Sequence, residues 1–428
     1  MITRIATEKD VSDDETGLQT ALCNLRDTAR RLELEDDLFR RIREPAERMC
    51  ICIHPRTPDG RILHANVFLV RHNDALGPPK GGIRMTPTVS LDEITGLAME
   101  MTWKTALIGV PFGGGKSGIS YDTSQLTPRE REVLVRAFIR GVRRHVGPEI
   151  YIPAPDMGTN ECDMGYIRDC ISYSGGTSIT TGCFVTGKPL IFGGIAGRRE
   201  ATGNGVVATI ISTCQQLGLN LSNLRVAVQG FGNVGSVAAS AISRQGARVV
   251  AVSDIKGGTF HHNGIDVQEL IKHVVTTGSV RRFKGGKDTS KEAVLETDCD
   301  ILILAATHSA ITDNNVEHIR AHVIAEGANS PITPAADAIL ANHGVFVIPD
   351  ILCNAGGVYV SYLEYTQETQ REQMAYQEVK QRLNHRMKST FEQVCSRARQ
   401  MNVTMRQAAM DIAVSRVVEG IMARGLLP

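Results

Sequence analysis

Three lysines stand in local settings that an ordinary solvated lysine lacks. Lys80 in "GPPKGGIRM" and Lys116 in "PFGGGKSG" are embedded in glycines, which remove side-chain bulk and let another group come close. Lys104 in "MTWKTAL" lies in an apolar run beside the only tryptophan, Trp103. Any single lysine is most often a surface charge. Three in such settings suggest a pocket for a substrate with more than one carboxylate. Crowded cations and burial both disfavour the protonated amine, so a lysine there can exchange protons as an acid or base. "YIPAPDMGTN" adds Asp156 in a proline-stiffened loop after an apolar stretch. Alone, such an aspartate is usually a cap or turn residue; beside a lysine cluster it is a candidate proton shuttle.

"PFGGGKSG" also invites a phosphate-loop reading, and the spacing excludes it. A P-loop needs a glycine, four residues, then Gly-Lys-Ser/Thr. The required position holds Val110, and Gly109 is one place too far. A better nucleotide motif lies downstream, where "VAVQGFGNVG" sets Gly230, Gly232 and Gly235 in GxGxxG spacing. A strand leads in, a helix leads out from Asn233, and a second strand ends at Asp254, 19 residues beyond Gly235. That context marks a dinucleotide site: glycines admit the pyrophosphate to the helix N-terminus, and the acid meets the adenosine ribose. Asp254 favours NAD over NADP by repelling a 2′-phosphate, while Lys256 blunts that preference, so NADP stays possible.

The elements that must position these groups follow from apolar periodicity. Residues 15–50 read as helical, and "RMCICIH" and "ILHANVFLVRHN" as strands split by the turn signal "PDG". "LTPREREVLVRAFIRGVRRHV" opens with a capping box on Thr127 and Glu130, with Pro128 at the first helical position. From about residue 200, short apolar strands alternate with helices, which predicts a parallel, doubly wound sheet. The last segment is a long polar helix with Tyr376, Val379, Leu383, Met387, Phe391 and Val394 as its apolar stripe. The fold class is therefore α/β: a substrate and oligomerisation domain with a mixed sheet over 1–195, a Rossmann-type domain over 196–350, and C-terminal helices over 351–428 packing back on the first.

The 428 residues carry a net charge of +1, which argues against recruitment of nucleic acid or an anionic membrane. No apolar run approaches the roughly 18 residues of a membrane span, and the N-terminus lacks a signal-like apolar region. Ten scattered cysteines without a CxxC pair exclude zinc-ribbon and thioredoxin readings, and no metal is expected. Buried free thiols fit a cytoplasmic protein.

The ordered motifs "HNDALGPPKGGIR", "MTWKTALIGVPFGGGKSG", "PAPDMGTN", "VTGKP", "GRREATGNG", "GFGNVG", "AEGAN" and "NAGGVYVSYLE" resemble those of glutamate dehydrogenases, in the compact hexamer-forming group, from about residue 20 to the C-terminus. The resemblance implies exchange of L-glutamate, water and NAD(P)+ with 2-oxoglutarate, ammonium and NAD(P)H in a homohexamer. It implies Lys116 as catalytic lysine and Asp156 as proton-transferring aspartate. Lys104 would take the substrate α-carboxylate, Lys80 and Ser361 the side-chain carboxylate, and Met101 a pocket position. Thr202, Asn233 and Val234 would touch the cofactor with the loop glycines, and Asn329 and Asn354 would lie near the nicotinamide ribose. Ser117 departs from the pattern, standing where many relatives have glycine. The alternatives are a dehydrogenase of leucine, valine or phenylalanine, disfavoured by Lys80, and a non-catalytic subunit of a hetero-oligomer, disfavoured by the presence of Lys116 and Asp156.

Overall fold

The computed structural model of the protein describes residues 17–174 and 182–425. The N-terminal segment read above for targeting signals falls outside these residues. Helices α1 (Gly17–Arg31) and α2 (Asp36–Arg43) precede a sheet of β1 (Glu47–Ile53), β2 (Ala65–Asn73), β3 (Pro79–Thr86), β4 (Gly113–Ser120) and β5 (Ile152–Pro155). Its order is β1-β2-β4-β3-β5, with β1, β2 and β4 antiparallel and β4, β3 and β5 parallel. Helix α3 (Leu91–Ile108) joins β3 to β4, and α4 (Pro128–Gly141) and α5 (Glu161–Ser174) flank β5 in sequence. After α6 (Ala201–Leu217) come β6 (Arg225–Gln229), α7 (Asn233–Arg244), β7 (Arg248–Asp254), β8 (Gly257–Phe260), α8 (Val267–Thr277) and β9 (Lys287–Thr289). Then follow α9 (Lys291–Leu295), β10 (Ile301–Leu304), β11 (Val323–Glu326), α10 (Pro334–Asn342) and β12 (Phe346–Ile348). The chain closes with α11 (Asp350–Cys353), α12 (Gly356–Gln370), α13 (Tyr376–Met401) and α14 (Met405–Arg424).

The second sheet has the order β12-β11-β10-β6-β7-β8-β9. Its first five strands are parallel, and β8 and β9 close one edge antiparallel. The central strands are near-continuous apolar runs because both faces are covered; every residue of Ile301–Leu304 is buried. The capping box on α4 is formed as expected, and Leu134, Phe138 and Val142 are buried. The stripe of α13 is buried from Val379 to Val394, but Tyr376 stays 40% exposed, its ring lying over Gly197 at the helix start. The region 15–50 holds two helices, separated where Glu33 takes a left-handed φ of 51°.

Helix α14 returns to the first sheet's region, as expected. Arg416 donates to the last carbonyls of α3, Ala106 (2.8 Å) and Leu107 (2.7 Å), and Arg31 of α1 donates to Asp411 (2.8 Å). Ala106 already accepts from the C-cap nitrogen of Gly109 (3.2 Å), and the guanidinium adds a second donor at the negative end of the helix. None of the ten cysteines forms a disulfide. Cys50, Cys52 and Cys162 are exposed, correcting the expectation of uniformly buried thiols: Cys50 and Cys52 sit on the outward-alternating face of edge strand β1.

From Gly113 on, "PFGGGKSG" is a strand, not an open loop. A Cβ on Gly113 would lie 1.9 Å from the Asn73 carbonyl oxygen, and one on Gly114 would lie 2.0 Å from Thr102 Oγ1 and 2.3 Å from the Thr102 nitrogen. A Cβ on Gly115 would press into the Tyr151 ring at 2.9 Å. These glycines let β4 pack against β2, α3 and Tyr151; they do not hold space open. The expectation that glycine marks room for a ligand is thus corrected here. Gly114→Ala should cost roughly 1–3 kcal/mol or more in urea unfolding, as overpacking does. Gly165→Ala, in α5 with nothing nearer than 3.6 Å, should be neutral or slightly stabilising.

Candidate active site

Residues of the first sheet and of the loops after β10 and β11 line one cleft of about 330 Å³. Strand β3 supplies Lys80 and Arg84, α3 supplies Glu100, Met101 and Lys104, and β4 supplies Lys116. Asp156 follows β5, and Ser361 comes from α12. The nucleotide side contributes Thr202 and Val234 from the starts of α6 and α7, with Asn329 and Asn354. All six residues expected to do chemistry or hold substrate line this one cavity. Gly230, Gly232, Asn233, Gly235 and Asp254 do not line it; they lie along the β6–α7 turn and the end of β7.

Burial of charge dominates the chemistry of the cleft. Lys116 Nζ ion-pairs with Asp156 Oδ2, and Arg84 stands 3.6 Å from the other carboxylate oxygen. Burial works against the Asp156 charge, but Lys116 and Arg84 outweigh it and hold the carboxyl well below the usual range. Lys116 is itself lowered, first by burial and then by Arg84 and Lys104, against the pull of Asp156. Such a pair keeps the aspartate ionised and makes the ammonium easier to deprotonate than a surface lysine.

Lys80 is 1% exposed and donates to Thr186 Oγ1 (2.7 Å) and the Ile152 carbonyl oxygen (3.3 Å). Burial, then repulsion from Arg198, pushes it down to about 7. Arg198 Nε donates to Ser361 Oγ (2.8 Å), so the serine is oriented by a guanidinium. Lys104 Nζ donates to Asn329 Oδ1 (2.9 Å), and Asn354 Nδ2 reaches the same oxygen at 3.1 Å. One turn before Lys104, Glu100 accepts from Ser330 Oγ across the cleft. Burial, then Asp350, raises Glu100 to about 7.

The β6–α7 turn suits a dinucleotide. Gly230 has φ +91°, open to few residues but glycine, and a Cβ on Gly235 would strike the Gly230 carbonyl oxygen at 1.8 Å. Gly232 has open space around it and leads into α7 without a side-chain cap, leaving backbone N–H groups for an anion. Asn354 Oδ1 is buried with no partner, an acceptor available to a ribose hydroxyl or amide. Asp254 is more engaged than expected: it accepts from the nitrogens of Lys256 (2.7 Å), Gly257 (3.1 Å) and Val280 (2.6 Å), so it shapes the turn besides offering charge.

Two sequence models match this chain: the Glu/Leu/Phe/Val dehydrogenase dimerisation domain over residues 46–173, and Glutamate/Leucine/Phenylalanine/Valine dehydrogenase over 193–425. The chain belongs to this dehydrogenase family. It is 43% identical to glutamate dehydrogenase of Thermotoga maritima over 93% of this chain and 95% of that one. It is 39% identical to NAD-specific glutamate dehydrogenase A of Halobacterium salinarum over 98% and 96%. Among solved structures, the hetero-hexameric glutamate dehydrogenase of Thermus thermophilus in its Leu-bound form superposes with a TM-score of 0.92 at 32% identity, covering 97% of this chain and 99% of that one. The fold is accordingly the Rossmann-type α/β architecture of these dehydrogenases.

Sequence reasoning missed Arg84, Arg198, Thr186, Glu100 and Ser330 at the cleft. Arg198 lies inside "GRREATGNG", and its signal was a pair of arginines just before a helix start. Thr186 sits in "VTGKP", over 100 residues from its partner Lys80, with no local sign of the contact. Glu326 is also raised to about 7, first by burial. Infrared spectra should therefore show buried carboxylic C=O absorption lost between roughly pH 6 and 8. Glu100→Gln should remove part of that amplitude, and an unchanged band would contradict the placement of Glu100.

Proposed function

We propose that this enzyme carries out the reversible oxidative deamination of L-glutamate to 2-oxoglutarate and ammonium, with a nicotinamide cofactor. The observation that carries this reading is Lys80: a buried ammonium held by two neutral acceptors, repelled by Arg198, and ion-paired to no carboxylate among the described residues. Its third N–H has no partner among the described residues. A substrate side-chain carboxylate would supply the missing charge, whereas an apolar side chain would leave the ammonium buried and unpaired. Ser361, fixed by Arg198, would give the carboxylate a second donor. Lys104 would take the α-carboxylate, leaving Asn329 to do so, and Met101 would line the intervening wall.

The nicotinamide, when bound, accepts the hydride from the substrate Cα. Lys116, eased toward its neutral form, removes a proton from the water that adds to the resulting imino carbon. Asp156 carries protons to and from the substrate nitrogen, so that ammonia can leave. Thr202, Asn233, Val234, Asn329 and Asn354 hold the cofactor with the Gly230, Gly232 and Gly235 turn. We assign NAD through Asp254, with NADP admissible because Lys256 flanks that acid and three backbone donors share its charge.

Residues 1–195 are assigned to substrate binding and assembly, 196–350 to dinucleotide binding, and 351–428 to the returning helices. A homohexamer is the assembly we favour; the Thermus neighbour is hetero-hexameric. Among the described residues no helix is long and apolar enough to cross a membrane. The unbridged thiols support a cytoplasmic location.

Steady-state kinetics test the reading. Lys80→Leu should lower kcat/KM for glutamate by about 100-fold or more while sparing L-norvaline, which has the same carbon count without the side-chain carboxylate. Lys116→Met should lower kcat by roughly 100- to 10,000-fold with both. Equal losses on both substrates in Lys80→Leu would remove its assigned role.

A further inference from the structure

Behind the cleft wall, four charged side chains are buried together. Lys188 and Glu364 have no exposed side-chain surface, and Glu368 and Arg168 only 11% and 10%. Lys188 Nζ donates to Glu364 Oε1 (2.8 Å), Glu368 Oε2 (2.8 Å) and the Val185 carbonyl oxygen (2.7 Å). Glu364 also accepts from the backbone nitrogens of Gly187 (2.8 Å) and Lys188 (3.3 Å). Arg168 of α5 pairs with the other oxygen of Glu368 at 2.9 Å, so two cations balance two anions. None of the four side chains lines the cleft.

The cluster ties the loop that holds Lys80 to the helix that carries Ser361. The loop is 183–188, where Thr186 accepts from Lys80 (2.7 Å) and anchors its own nitrogen to the Pro153 carbonyl of β5 (3.0 Å). The helix is α12, where Ser361 lies one turn before Glu364. A shift of loop against helix would change the separation of Lys80 and Ser361. A buried ion pair is a poor device for stability alone, since apolar residues of the same volume commonly serve as well or better. Its use here suits a junction that must hold one register.

We propose that the Lys188–Glu364 pair, completed by Glu368, is a positioning device that sets the Lys80–Ser361 subsite and thereby selects an amino acid with a side-chain carboxylate of glutamate length. This rests on the reading of the cleft as a dicarboxylate site. Lys188 and Glu364 act through Thr186 and the α12 backbone, without touching substrate.

Three variants of the full-length enzyme test it: Glu364→Gln, Glu368→Gln at the cluster's rim, and the volume-matched Lys188→Met/Glu364→Leu. KM and kcat are measured for L-glutamate and L-norvaline, together with the melting temperature. KM for glutamate should rise about tenfold with kcat within about twofold, because a misplaced binding group weakens ground and transition states alike. Norvaline kcat/KM should stay unchanged, and the double apolar variant should lose glutamate affinity even while melting near the wild type. A folded variant that keeps its glutamate KM, or loses glutamate and norvaline equally, overturns the proposal. If Glu364→Gln does not fold, Glu368→Gln and the double variant decide. A wild type indifferent between glutamate and norvaline overturns instead the dicarboxylate reading beneath it.

Discussion

The cost of burying positive charge organises this molecule. Lys80, Lys104, Lys116, Arg84 and Arg198 all reach one cleft. Asp156 answers the charge of Lys116 and Arg84, and Glu93 also takes Arg84 at 2.6 Å. Among the described residues no carboxylate answers Lys80 in the same way. Its ammonium is kept in place by a strand carbonyl and a threonine hydroxyl, groups that orient it without neutralising it. On the proposed reading the site stores an unmet electrostatic demand, which a substrate of the right charge at the right length would relieve. Selectivity and binding are then the same interaction.

A demand of that kind works only on a rigid frame. Strand β4 is pressed so closely between β2, β3 and α3 that side chains are excluded at its first positions, which fixes Lys116 relative to Lys80 one strand away. Ser117 joins this frame: its hydroxyl meets the buried Tyr151 hydroxyl at 3.1 Å, and Tyr151 donates onward to the Gly81 carbonyl (3.0 Å). The serine that departs from the family pattern therefore satisfies a buried phenol beside Lys116. The opposite wall is joined through Lys104 with Asn329 and Glu100 with Ser330, contacts that reach from α3 to the nucleotide side. The two walls of the cleft thus share partners, and on the proposed reading an incoming α-carboxylate would compete for Lys104.

What was legible in the chain was what local chemistry imposes. The glycine-rich turn after β6 was readable because few residues but glycine take the φ of Gly230, and a Cβ on Gly235 would strike the Gly230 carbonyl oxygen. Lys80 and Lys116 were noticed through their glycine neighbours: those of β4 serve strand packing, whereas Gly82 does let another group come close, the Asp156 side chain. The strand alternation, the α4 capping box and the α13 stripe were readable from periodicity and end signals. Arg198, Thr186 and Glu100 were not, because each acquires meaning from a residue distant in the chain. Asp254 was read from its place at the end of a strand, but its bond to the nitrogen of Val280, 26 positions on, was not. Side chains that act through tertiary partners leave no spacing to count.

The central claim is that Lys80 awaits a carboxylate, and proton uptake on binding tests it most directly. Calorimetric titration with glutarate, a dicarboxylate that cannot react, is run at pH 8 in buffers of differing ionisation enthalpy. With its pKa near 7 in the empty site, Lys80 is mostly neutral at that pH and must become charged to hold the ligand. Affinity should therefore be full below about pH 7 and weaken above it, with uptake approaching about one proton per site at pH 8. Valerate, which lacks the second carboxylate, should take up none through this group, and Lys80→Met should abolish the glutarate signal. Glutarate binding without proton uptake, or uptake equal for the two ligands, would contradict the account.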